Sequence, residues 1–257
     1  MDLHSKVAVV TGASSGLGRR FALDLARAGA VVTGLARRAD LLEELGEQMR
    51  RYSKASSTMV CDVTDTERFT WVLGEIESES GRIDVLVNNA GIGQPTGMDE
   101  DLQAHRLVME TNYFAAVAGT LAVLPGMRKR HEGVIVNVSS DSGRAPGPHE
   151  AAYGASKAAL STFSESMAFD AEQSGVHLHV LYPGWVPTAM GSGAVEAGMP
   201  TPPRMVRRTE EQVSSLVLSR MGGPRIDIDA TQVARLAPVA RALFPGAYRR
   251  GVKRASG

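Results

Sequence analysis

The chain has 257 residues, 28 basic against 28 acidic ones, 43% apolar and 22% charged. That composition excludes disorder as the main state, and a zero net charge argues against a nucleic-acid partner. Aromatic residues at 5% are too few for a stacking platform along a single strand. The one cysteine, Cys61, excludes an intrachain disulfide and a cysteine-based metal cluster, so no metal is expected and a reducing, cytoplasmic setting fits.

The N-terminus is polar and lacks the basic-then-apolar pattern of a signal peptide. Short β-branched runs follow at 7–10, 31–35, 58–61, 85–87, 134–138 and 176–181, as expected for strands buried on both faces. Amphipathic stretches lie between them. Leu17, Phe21 and Leu25 recur at helical spacing, and Gly29 stands where a glycine ends a helix. Leu42, Leu45 and Met49 repeat the pattern after Asp40 as a candidate N-cap. Thr64 and Glu67 read as a capping box before Phe69, Val72 and Ile76. Residues 111–127 carry no charge but are at the short limit for a membrane span, so a buried core helix is expected there. The alternation predicts an α/β fold: a doubly wound parallel sheet with helices on both faces, in three α/β/α layers. Residues 188–208 lack periodicity and read as a loop, followed by a capping box at Thr209 and Gln212. A single domain spanning residues 1–257 is expected, since no linker or repeat divides the chain.

The first strand runs into Thr11-Gly12-Ala13-Ser14-Ser15-Gly16-Leu17-Gly18 and then a helix start. Glycines there let backbone N–H groups approach a pyrophosphate, and the helix N-terminus favours its charge. The alternative is a tight strand-to-helix turn that binds nothing. At the end of the second strand, where an acid would hold the 2′-OH of NAD, the chain has Arg37 and Arg38. Two guanidiniums and no acid suit a 2′-phosphate, so NADP(H) is the expected cofactor, with NAD(H) left open. Asp62 and Val63 follow the third strand, at the adenine side or simply in a turn.

Tyr153 and Lys157 lie four apart on one helix face, where a lysine ammonium would favour a phenolate. Ser140 stands just past the strand at 134–138, at the end where open α/β sheets place ligands.

The order and spacing of Thr11–Gly18, Asn88-Asn89-Ala90-Gly91, Asn112, Ser140, Tyr153, Lys157, Pro183-Gly184, Val186 and Thr188 resemble the short-chain dehydrogenase/reductase family in its single-domain form. The resemblance covers residues 7–188. It implies that Ser140 polarises a carbonyl and Tyr153 acts as general acid/base. Lys157 would tune Tyr153 and hold the nicotinamide ribose, and Asn112 would keep a water beside Lys157. Gly12, Ser14, Ser15, Gly16, Leu17, Gly18, Asn89, Ala90 and Gly91 would flank the cofactor, and Pro183, Gly184, Val186 and Thr188 would hold its nicotinamide end. It also implies a homodimer or homotetramer. The glycine loop departs from many NADP-using relatives in having Ser15 where they carry a basic residue.

Residues 188–210 are the expected substrate lid, with Met190, Val195, Met199 and Met205 pointing to an apolar, lipid-like, steroid-like or 3-oxoacyl substrate. A nucleotide-binding sensor without turnover is the rival reading, and a membrane-associated scaffold a third. Residues 204–257 hold 11 basic residues against 4 acidic ones, so the neutral total conceals +7 there and −7 over residues 1–203. A helix is expected over 231–244, followed by a basic tail, with peripheral membrane contact through 231–257 as the less expected reading beside ordinary packing or a subunit contact.

Overall fold

A computed structural model describes residues 1–93, 101–196 and 202–256. Strand and helix alternate through most of the chain. The order is β1 (Val7–Thr11), α1 (Gly16–Arg27), β2 (Val31–Ala36), α2 (Ala39–Arg50), β3 (Ser57–Val60), α3 (Thr66–Ser80) and β4 (Val85–Asn88). Then come α4 (Leu102–Met109), a π-turn (Glu110–Phe114), α5 (Ala115–Arg130), β5 (Gly133–Val138), α6 (Asp141–Arg144), α7 (Ala151–Glu172) and β6 (Val176–Tyr182). The chain continues with α8 (Ala189–Glu196), α9 (Glu210–Arg220), β7 (Asp227–Asp229), α10 (Gln232–Leu243) and α11 (Pro245–Ser256).

The seven strands form one parallel sheet in the order β3-β2-β1-β4-β5-β6-β7. Side chains alternate across it, as the pleat requires. Ala8, Val10, Val85, Val87, Val134 and Val136 join Phe21, Leu25, Leu42, Leu45, Val213 and Val217 in one core. Val9, Leu86 and Ile135 point the other way, onto Phe69, Val72, Met127 and Ala168. The expected three-layer, doubly wound architecture is therefore present, with α1, α2 and α9 on one face and α3, α5 and α7 on the other. The strand order reverses between β1 and β4, which opens a crevice at their C-terminal ends.

Several local expectations change. The N-cap of α2 is Arg38, and Asp40 sits inside the first turn, where its charge still suits the helix dipole. The N-cap of α3 is Asp65, whose side chain accepts from Arg68 N; Thr64 instead hydrogen-bonds Asp62, so no Thr64–Glu67 box forms. Gly29, at φ 90°, does follow the end of α1, and the Thr209–Gln212 box is complete. Part of 188–208 is helical as α8, and a second helix, α11, follows the Pro245-Gly246 step. The run Leu102–Arg130 is long and apolar enough to cross a membrane by length and composition. Its position is that of a core helix: Met127 and Val123 are buried, and α5 packs on β4 and β5.

Candidate active site

The C-terminal ends of β1, β2, β4, β5 and β6 open into a cleft of about 720 Å³. It is lined by Gly12, Ser14, Ser15, Gly16, Leu17, Arg37, Arg38, Asp62, Val63, Asn89, Ala90 and Gly91 on one side. Ser140, Tyr153, Lys157, Pro183, Gly184, Val186 and Thr188 line the other. Of the site residues expected from the sequence, Gly18 and Asn112 lie just behind this surface and shape it.

The glycine loop is tight for steric reasons. Gly12 and Gly16 have φ of 66° and 57°, the region glycine enters without strain. A Cβ on Gly18 would lie 2.3 Å from Gly12 O and 2.4 Å from Asn89 Nδ2. Ser15, the N-cap of α1, makes no side-chain cap bond, and the first turn holds no acid. The first N–H groups of α1 are thus free to meet an anion. Across the loop, Asn89 N and Ala90 N both donate to Thr11 Oγ1 at 3.0 Å, and Asn89 Nδ2 donates to Thr11 O. These bonds lock the end of β4 to the end of β1. The loop is a cradle that fits a dinucleotide pyrophosphate.

At the end of β2, Arg38 folds back over the loop. Its guanidinium donates to Ser14 Oγ at 2.8 Å and Ser15 Oγ at 2.6 Å. Arg37 is 70% exposed and 3.7 Å from Asp62. Burial pushes the Asp62 carboxyl up, but hydrogen bonds from Thr64 and the charge of Arg37 outweigh it and the net shift is downward. Asp62 is thus both a turn residue, bonding Thr64 N at 3.0 Å, and part of the cleft wall.

Ser140 caps α6, and its Oγ accepts from Ser142 N at 3.2 Å. The neighbouring Ser139 is buried and its hydroxyl is committed to Lys157 O and Ser161, whereas Ser140 presents its hydroxyl at the cleft wall. Burial raises the Tyr153 phenol above its ordinary value; the hydrogen bond with Ser140 offsets part of this, while Glu150 and Asp141 add to it. Lys157 Nζ donates to Val138 O at 2.8 Å and lies 5.9 Å from the centre of the Tyr153 ring. Burial pulls its pKa down to about 8. In this geometry the lysine does not depress the tyrosine as the sequence spacing led us to expect. Desolvation dominates both groups.

Asn112 sits in the π-turn and is 1% exposed. Its Oδ1 accepts from Ile92 N at 2.8 Å, and its Nδ2 donates to Ile92 O and Ser156 Oγ. It clamps the segment after β4 against α7. Gly91 completes the fit, since a Cβ there would lie 3.1 Å from Asn112 Oδ1 and 3.5 Å from Lys157 Nζ. Asn88 is structural, bonding Asn137 Oδ1 at 2.8 Å within the sheet.

Other residues of the cleft were not singled out as site residues. Asp141, beside Ser140, is half-buried, and its pKa is raised to about 6 by desolvation and by Asp229. Trp185 pairs with the return of the lid: its N donates to Val206 O at 2.8 Å and its O accepts from Arg208 N. Val233, Ala237 and Tyr248, from α10 and α11, form part of the wall. Tyr248 donates its hydroxyl to Pro146 O at 3.2 Å, and Arg241 donates to Arg144 O at 2.7 Å. Residues so distant in sequence carried no local signal of this role. His149 and Glu150, which closely precede Tyr153 and read in the sequence as either pocket lining or loop surface, also line it. Of the expected lid residues, Met190, Val195 and Pro202 line the cleft and Met205 is exposed; Met199 and Pro200 lie outside the described residues.

A seven-stranded parallel sheet, a glycine cradle at its switch point, and serine, tyrosine and lysine at the facing strand ends define a nucleotide-dependent oxidoreductase of the short-chain type. The family model for short chain dehydrogenase matches residues 6–197, and this chain belongs to the short-chain dehydrogenase/reductase family of NAD(P)-dependent enzymes. It is 34% identical to the dehydrogenase/reductase SDR family member 7B of Bos taurus over 96% of this chain and 80% of that protein. It is 38% identical to an uncharacterized oxidoreductase of Myxococcus xanthus over 72% of this chain and 74% of that protein. The crystal structure of a short-chain dehydrogenase from Streptomyces avermitilis superimposes with a TM-score of 0.82 at 27% identity, covering 99% of this chain and 98% of that one.

Proposed function

We propose that the enzyme uses NADP(H) and interconverts a carbonyl and a secondary alcohol on an apolar, lipid-like, steroid-like or 3-oxoacyl substrate. The observation that carries the cofactor reading is Arg38, whose guanidinium spans the Ser14 and Ser15 hydroxyls at the end of β2, where no carboxylate competes for a ribose. Arg38 and the exposed Arg37 would hold the 2′-phosphate. The cofactor, when bound, supplies or accepts the hydride.

The chain's own residues handle the oxygen and the proton. Ser140 donates a hydrogen bond to the substrate carbonyl oxygen. Tyr153 gives that oxygen its proton in reduction and takes it back in oxidation. A phenol held above its usual pKa is protonated at neutral pH, which suits the donor role and favours reduction. Lys157 holds the ribose end of the cofactor, and Asn112 positions Ile92 and α7 and would keep a proton-relay water beside Lys157. Pro183, Gly184, Val186 and Thr188 hold the nicotinamide end. Met190, Val195, Val206, Val233 and Ala237 give the outer cleft an apolar lining, which supports the substrate class. Exposed Leu107, Phe114, Leu121 and Phe169 on α4, α5, the turn between them and α7 support a homo-oligomeric contact.

A panel of apolar ketones and aldehydes, followed by NADPH absorbance, tests the reading. Turnover with NADPH on at least one class, lost in Tyr153→Phe, is the expected result. NADPH binding without turnover across the panel would favour the sensor reading instead.

A further inference from the structure

The cleft wall supplied by α10 has an outer side. Along that helix Val233, Ala234 and Ala237 turn inward, the first and last onto the cleft. Leu236, Val239 and Leu243 recur at i, i+3 and i+7 and so share the opposite face. They are 59%, 52% and 66% exposed, and Phe244 beside them is 64% exposed. This row stands against the usual order, in which the outer face of a helix is polar.

The next helix supplies what the row lacks. In α11 Tyr248 turns inward, whereas Arg249, Arg250, Lys253 and Arg254 are exposed. From residue 230 to the C-terminus the sequence has six basic residues and no acid. Arg249, Arg250, Lys253 and Arg254 form no ion pair among the described residues. An apolar helical face next to unpaired cations is the chemistry of a surface that meets anionic lipid.

We propose that the outer faces of α10 and α11 dock the enzyme on an anionic phospholipid surface, with the acyl region taking Leu236, Val239, Leu243 and Phe244 and the headgroups taking the cations of α11. Charge complementarity decides between occupants. A second copy meeting this face symmetrically would bring two acid-free, basic helices together, which is repulsive. The row is also a ridge on a helix rather than a groove, and it needs a deformable apolar phase more than a shaped partner. Docking here sets the wall of the substrate cleft against the membrane. The inference does not depend on the redox reading.

The test is sedimentation of the full chain with vesicles of phosphatidylcholine alone or mixed with phosphatidylserine. Binding is expected only to the mixed vesicles, falling as salt is raised. Joint substitution Leu236→Gln, Leu243→Gln and Phe244→Gln should cut it by roughly tenfold or more, as should Arg249→Gln, Arg250→Gln, Lys253→Gln and Arg254→Gln together. These positions are exposed, so thermal melting should be unchanged and a binding loss cannot be laid to unfolding. A chain that stays in solution with both vesicle types overturns the proposal. So does binding indifferent to the three apolar substitutions, which would mark simple charge adsorption, or a dimer that those substitutions dissociate without any vesicle binding.

Discussion

Replacing Arg38 by alanine separates the two cofactors. In the structure this guanidinium commits Nε and one terminal nitrogen to Ser14 and Ser15, with a second terminal nitrogen to spare. A charge-assisted bond to a phosphate is worth about 1.5–3 kcal/mol. Arg38→Ala should therefore weaken NADPH binding roughly 10- to 150-fold. The same change frees the Ser14 and Ser15 hydroxyls and loosens the loop, which weakens both cofactors alike. The discriminating quantity is thus the ratio of the two dissociation constants, read by fluorescence titration with NADPH and NADH. Arg37, 70% exposed and drawn toward Asp62, should matter less, by about 1 kcal/mol or under. An equal loss for both cofactors in Arg38→Ala, or tighter binding of NADH than NADPH by the unaltered chain, would refute the argument.

Tyr153→Phe should lower turnover by about 10²- to 10⁴-fold in stopped-time assays while leaving NADPH affinity within roughly twofold. Gly18→Ala places a Cβ 2.3 Å from Gly12 O, and should abolish binding of either cofactor and lower stability by about 1–3 kcal/mol in chemical denaturation. Lys157 is held at about 8 against its ordinary 10.5, so the unfolded chain takes up this proton more readily than the folded one. Its contribution makes stability rise with pH from about 8 toward 10.5, and at neutral pH the buried ammonium is a net cost. Lys157→Met should remove turnover, raise stability at pH 7 by about 1–2 kcal/mol after the lost bond to Val138 O, and flatten that slope; a lower melting temperature would count against it. Because the Tyr153 phenol is raised, alcohol oxidation should climb with pH through 9 while carbonyl reduction does not, and an oxidation rate already level at pH 7 would contradict this.

The central strands and the glycine loop were readable because their signals are local: β-branched runs bounded by turns, and glycines where the backbone needs them. The edge strand β7 was not, for it is three residues, Asp227–Asp229, whose only strand character is pairing with Val180–Tyr182. Pro245-Gly246 reads as the end of a helix, yet Pro245 is the first residue of α11, where a fixed φ and a missing N–H cost nothing. Asp65 displaced Thr64 as a cap because Thr64 was already bonded to Asp62. In the site, the spacing of Tyr153 and Lys157 gave their shared face correctly. It could not give the balance of burial and charge that sets their proton affinities, because Val138 and Asp141 reach them from other elements and burial depends on the whole fold. The cleft wall from Val233, Ala237 and Tyr248 was beyond reach for the same reason.

The π-turn at Glu110–Phe114 makes the helical run Leu102–Arg130 a device with two phases. One extra residue in the turn offsets the facing of α5 from that of α4 by about 100°, the angle one residue subtends in a helix. Asn112 can then face Ile92 and Ser156 while Ala116, Thr120 and Val123 face the sheet. Deleting any single residue of 110–114 would restore a regular helix and turn one half away from its partner. Either the cleft or the core would lose its register, although nearly every side chain would be retained. Length, at that one place, is as specific a requirement as any side chain.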